Sequence, residues 1–194
     1  MPSITRDSLL TLEAYAKERA AFRARVLAHK RDRTVRIGEH VTLLFEDELT
    51  VRYQIQEMLR IEKTFEEAGI QEELDVYNPL VPDGTNLKAT MLLEYEDVDA
   101  RRDALAKLRG IEDKVWMRVD GFSPVHAIAD EDLERENERK TSAVHFLRFE
   151  LTPPMIAALK AGRGLATGVE HPDYHAEIAS LPAAVRSALK EDFA

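Results

Sequence analysis

A carboxylate, an amide and an imidazole are the side chains of this 194-residue sequence best placed to do chemistry. Apolar residues recur at helical spacing from Glu48 to Ala68, ahead of Gly69 as a helix stop. With Met58 at the centre of the apolar stripe and about 100° per residue, Val51, Ile55, Ile61 and Phe65 fall within about 60° of it. Gln54 and Glu62 fall there too, about 40° to either side. A carboxylate on a buried stripe needs an arginine, a histidine, a metal or a proton. Its pKa is then a candidate for displacement. His145 shares strand parity with Leu147, Phe149 and Leu151 and is expected to point inward. If its strand lies against the helix, Glu62 and His145 form a proton-handling or metal-binding pair. Adding Glu57 gives a hard oxygen and nitrogen donor set suited to iron or manganese. The plainer alternatives are a structural ion pair for Glu62 and a hydrogen-bonded core position for His145.

A second candidate is an arginine pair. Arg118 and Arg148 are expected on the polar face of a sheet with Glu46, Glu94 and Glu150. Two such guanidiniums could grip a small carboxylate or phosphate bidentately, and cross-strand salt bridges explain them equally well. A third is a charge asymmetry. The net charge is −9, yet Lys17 to Arg36 carries eight basic residues against Glu18 and Asp32. Arg19, Arg23 and Arg25 on that segment could dock an acidic protein, or simply be solvated. The acidic run Asp130 to Glu138 reads as an exposed segment. His171 and His175 have zinc-like spacing, but Pro172 breaks the helix that would make the rings converge.

Several classes are excluded. The chain has no cysteine, hence no disulfide, thiolate metal site or thiol nucleophile. It has no dinucleotide or phosphate-binding glycine motif and no nucleophile elbow, so no cofactor is expected. An acidic chain without aromatics interleaved with basic residues argues against nucleic acid. No apolar run approaches the ~20 residues of a membrane span, and Met1 to Asp7 has no apolar signal core. A cytoplasmic location is expected.

The elements that must position these residues read as follows. A helix is expected from Asp7 to Lys30 behind Thr5 as N-cap, then a hairpin from Thr34 to Phe45 about Gly38, then the Glu48 to Ala68 helix. Strands are expected at Leu87 to Tyr95, Val115 to Val119, Val125 to Ile128, Ser142 to Leu151 and, last, Leu165 to Val169. Helices are expected at Asp97 to Leu108, after Pro153-Pro154, and at Pro182 to Lys190. The rhythm predicts a single α+β domain over 1–194, with a largely antiparallel sheet covered by helices on one face. Its inward set would be Val41, Leu43 and Phe45; Met91, Leu93 and Tyr95; Val115, Met117 and Val119; and Leu147, Phe149 and Leu151. An open edge at the Thr34 to Phe45 hairpin leaves room for a homodimer.

Four stretches together resemble one bacterial family. They are Ile4-Thr5-Arg6-Asp7, the run from Leu44-Phe45-Glu46 through Gln54-Ile55-Gln56-Glu57-Met58-Leu59-Arg60 to Glu62, Tyr77-Asn78-Pro79-Leu80, and Ser142 to Phe149. The family is domain of unknown function 3501, and the likeness covers essentially the whole chain. The resemblance carries no catalytic residues with it. It implies an accessory role in redox or peroxide defence, beside a rubrerythrin-like diiron protein and an iron–sulfur oxidoreductase as protein partners.

Overall fold

The computed structural model describes residues 4–194. Met1 to Ser3, part of the stretch read for a signal core, lie outside the described residues. The elements in chain order are α1 (Leu12–Lys30), β1 (Thr34–Ile37), β2 (Val41–Glu46), α2 (Glu48–Glu62), α3 (Glu67–Tyr77), β3 (Asn86–Leu93), α4 (Val98–Lys107), β4 (Val115–Val119), β5 (Val125–His126), β6 (Ile128–Ala129), β7 (Val144–Glu150), α5 (Pro153–Lys160), β8 (Leu165–His171), β9 (Tyr174–Ile178) and α6 (Ala183–Lys190). The fold is α+β, and every strand pairing is antiparallel.

The strands divide into two sheets, ordered β1-β2-β3-β7-β6 and β5-β4-β8-β9. β5 and β6 are one extended stretch that changes sheets at Ala127, whose amide still bonds to Val115 O. Alternation decides what goes inside. Val41, Leu43, Phe45, Met91, Leu93, Val115, Met117, Val119, Leu147, Phe149 and Leu151 are all buried in one shared core, as their parity predicts; Tyr95 is half-buried. α4, α5 and α6 add Leu105, Met155, Leu159, Val185 and Leu189 to the same core. Each such burial is worth about 2 kcal/mol against exposure, so apolar area rather than polar contacts holds the two sheets together. Among the described residues, no helix is long and apolar enough to cross a membrane.

Five boundaries differ from the sequence reading, each for a local reason. The first helix does not start at Asp7. Arg6–Ser8 is one 3-10 turn, and α1 begins only after Thr11. The Gln56 side chain pairs with both Leu10 N (2.7 Å) and Leu10 O (3.3 Å), taking backbone groups a continuous helix would use. The second helix stops at Glu62, because Lys63 takes the left-handed conformation (φ 55°), and Gly69 lies inside α3. Strand Tyr174–Ile178 follows Leu165–His171 across a two-residue turn, with the half-exposed alternation of an edge strand. The edge at β1 has no further strand partner among the described residues, but a side chain of the second sheet reaches its end. The Tyr174 hydroxyl donates to Ile37 O (2.5 Å) and accepts from Val41 N, so the second sheet touches the hairpin at its turn. A side chain at Gly38 (φ 72°) would collide with that hydroxyl. Finally, Arg33 is no part of a basic surface. It is buried, donating to Phe45 O and Ala188 O and pairing with Asp192, and so clamps α6 and the chain end to the first hairpin.

Candidate functional site

α2 and α3 build a second apolar cluster from Val51, Ile55, Leu59, Ile70 and Leu74 with Ile4 and Leu9, against which Leu12 at the start of α1 packs. This layer meets the polar face of the first sheet. Thr50 and Thr90 both donate to Glu46, at 2.5 and 2.6 Å, and Lys88 Nζ on β3 donates to Pro79 O just after α3. Between α3 and its following turn, the outer face of β3 and β7, and the segment after Ala129 lies a cavity of ≈ 740 Å³. A volume of that order suits a drug-sized organic molecule.

The cavity has apolar walls and a charged frame. Tyr77, Leu80 and Phe146 line it, and Val76 and Leu133 stand at its rim with 65% and 57% exposure. Arg148 is already committed, bidentate to Glu131 (2.9 and 2.8 Å) and bonded to Glu150 at 2.6 Å. Arg135 is committed too. It grips Asp132 at 2.5 and 2.7 Å, reaches Asp130 at 3.1 Å and covers the Phe146 ring at 4.5 Å. Lys88 alone of the three lining cations forms no ion pair among the described residues. Burial holds its ammonium below the usual lysine range, opposed by the nearby Asp83 charge.

Behind the wall stands His145. It is fully buried, as its parity predicts. Its partners are Asp130 and Glu112 rather than Glu62. Nδ1 lies 2.6 Å from Asp130 Oδ2, while Nε2 faces Thr141 Oγ1 and Ser142 O, both at 3.0 Å, with Glu112 Oε2 at 3.8 Å. Asp130 also accepts from the Phe146 amide at 2.9 Å, and it holds a left-handed backbone (φ 50°). A non-glycine residue in that region costs about 1 kcal/mol or more and persists only where its surroundings fix it. Here four hydrogen bonds do so, to His145, Arg135 and both backbone groups of Phe146. Burial pushes the Glu112 carboxyl up. Ligand atoms of Glu112, Asp130 and His145 lie within 4.8 Å of one another, so these three could hold a metal ion. Hydrogen bonds already occupy His145 on both ring nitrogens, which equally describes a buried polar anchor for the cavity wall.

The other expected site residues fall elsewhere. Glu57, Glu62 and His145 do not meet. Glu57 accepts from Tyr15 Oη (2.7 Å), Arg19 (2.7 and 2.9 Å) and Arg60 (3.1 Å), and the Arg19 guanidinium foremost lowers its pKa to about 2. Burial and the Glu57 charge raise the Tyr15 phenol well above its usual value. Glu62 is exposed. It shares a helix face with Ile55 and Leu59, but α2 leaves the sheet at its first turn and ends at Glu62, where nothing covers it. Ile61 and Phe65 are 61% and 73% exposed for the same reason. Gln54 is exposed beside Tyr77; the buried amide is Gln56. Arg118 and Arg148 sit on different sheets and cannot act as a pair; Arg118 lies over Trp116 at 5.3 Å. Arg23 and Arg25 are exposed, whereas Arg19 is held by Glu57. His171 is fixed by Arg109 O and the Asp173 amide, while His175 is exposed on β9.

Sequence reasoning missed Lys88, Asp130 and Glu112. Lys88 carried a weak signal, the one charge on β3, on the same face as Asn86 and Thr90. Asp130 and Glu112 lie in irregular segments where no periodicity speaks.

None of the curated proteins compared with this chain matches it. A crystal structure of a novel protein of unknown function from Burkholderia pseudomallei K96243 is similar throughout, with 61% sequence identity, a TM-score of 0.95 and 100% of each chain covered. The family model described as Protein of unknown function (DUF3501) matches residues 3–193, and the chain belongs to that family.

Proposed function

We propose that the protein is an accessory binding module of the cytoplasm that holds a small molecule in the cavity between α3 and the first sheet. The observation that carries this reading is the ≈ 740 Å³ space itself, apolar in its walls, rimmed by exposed Val76 and Leu133, and framed by charges among which Lys88 is the one cation without an ion pair among the described residues. Pre-formed apolar cavities with a few fixed polar groups are the usual form of a ligand site. Ligand-observed NMR with a fragment library tests it. Fragments should bind the wild type and be displaced when Val76→Glu and Leu133→Glu are introduced together. Both positions are exposed, so the fold should survive. An empty screen, or binding indifferent to the double substitution, contradicts the reading.

A second reading has its own observation. Of the 19 residues of α1, only Tyr15 and Val26 are buried, and Lys17, Arg23 and Arg25 face solvent. Such a helix suits an acidic protein partner, and the redox association implied by the family resemblance would make that partner a redox protein. Charge reversal at Arg23 and Arg25 should abolish a salt-sensitive complex. Retention of the complex in that variant would exclude α1 as the docking face.

A further inference from the structure

Deepening the small-molecule reading above, we infer that the ligand is a monocarboxylic acid with an apolar body, its carboxylate seated on Lys88. Four carboxylates line the cavity against three cations, so a highly charged anion such as a phosphate ester would meet net repulsion. Two of the four carboxylates are paired with arginines and the other two accept from neutral groups. Glu131 is taken by Arg148 and Asp132 by Arg135. Asp75 accepts from Gln71 at 2.7 Å, and Asp83 accepts from Thr85 and Asn86. The cation left without an ion pair is Lys88, half-buried, with three donors and a single protein acceptor, the Pro79 carbonyl; Asp75 and Asp83 likewise have no cation partner among the described residues. A partly buried ammonium with free donors gains from a charge-assisted bond, and one ligand carboxylate supplies it with a single negative charge. Beside it, Tyr77, Leu80, Phe146, Val76 and Leu133 offer apolar area for an alkyl or aryl body.

The test compares octanoate and 4-phenylbutyrate with octanol and 4-phenylbutyramide, on the full chain, by ligand-observed NMR titration. The wild type should bind each acid about tenfold or more tightly than its neutral match, as a partly buried charge-assisted contact provides. In Lys88→Met, which keeps the aliphatic stem, acid and neutral probe should bind alike, the neutral probe unchanged. Lys88→Arg should keep a preference for the acid. Thermal melting checks that each variant folds. Equal binding of acid and neutral probe by the wild type, or a preference surviving in Lys88→Met, overturns the assignment of Lys88 while leaving the cavity reading intact. Failure of all four probes overturns both.

Discussion

His145 Nδ1 stands 2.6 Å from Asp130 Oδ2, and this bond joins the buried start of β7 to the residue that leads the chain into the cavity wall. The wall is therefore fastened from inside the core. Leu133, which faces the cavity, follows Asp130 by three residues, and Arg135 beyond it is tied back to the same Asp130 carboxylate at 3.1 Å.

Asp130→Ala should accordingly cost about 3 kcal/mol, because it strands a fully buried imidazole and frees the Phe146 amide. In a domain of this size that lowers Tm by roughly 6–12 °C. Asp130→Asn should cost less, since asparagine tolerates the left-handed backbone and keeps one acceptor. Urea unfolding measures both. A stability of Asp130→Ala indistinguishable from wild type would remove the anchor from the account of the wall.

The same cluster predicts an outcome for metal. If hydrogen bonds alone satisfy His145, dialysis against a chelator leaves Tm unchanged. A fall of several degrees, reversed by manganese or iron and abolished in Glu112→Gln, would instead place an ion among Glu112, Asp130 and His145.

Asp192 should shape the pH dependence of folding. Burial pushes its carboxyl up to about 6, against the pull of Arg33. The folded chain then holds a proton that the unfolded chain has already released, so this group favours folding most below pH ~4 and progressively less up to pH ~6. Between those limits the stability of the wild type relative to Asp192→Asn should fall by about 1–3 kcal/mol. Chemical unfolding at several pH values gives the difference. A flat or rising difference would contradict the burial of the charge.

Glu57 behaves in the opposite sense. Its pKa, lowered to about 2 chiefly by Arg19, means that its contribution is present above the ordinary carboxylate range and is lost only as pH falls toward 2. Solvent reaches the Arg19 end of the pair, so Glu57→Gln should cost only about 1 kcal/mol at neutral pH. Arg19→Glu should cost at least as much, whereas Arg23→Glu and Arg25→Glu should leave unfolding free energy unchanged. Urea titrations of the four variants check this. It follows that docking experiments on α1 are clean at Arg23 and Arg25 and confounded at Arg19.

Strand parity made most of the core legible, because a period of two leaves each side chain one face or the other; His145 pointed inward on that argument alone. The helix wheel of α2 was less informative. It ranks faces but not ends, so it could not show that Glu62, on the same face as Leu59, falls past the last packing partner. Nor could it show that Gln56 is drawn in by the Leu10 backbone, a contact 46 residues away. Arg118 and Arg148 share strand parity, but parity does not reveal that the strands belong to different sheets. Lys88 became a candidate only when tertiary structure showed every neighbouring cation occupied.

The most direct test is a crystal of the protein soaked with 4-phenylbutyrate. The probe should lie between Tyr77 and Phe146, its carboxylate within hydrogen-bond distance of Lys88 Nζ and the Arg148–Glu131 pair intact. A cavity that remains empty at saturating probe, or a probe bound with its carboxylate turned to solvent away from Lys88, would contradict the central claim.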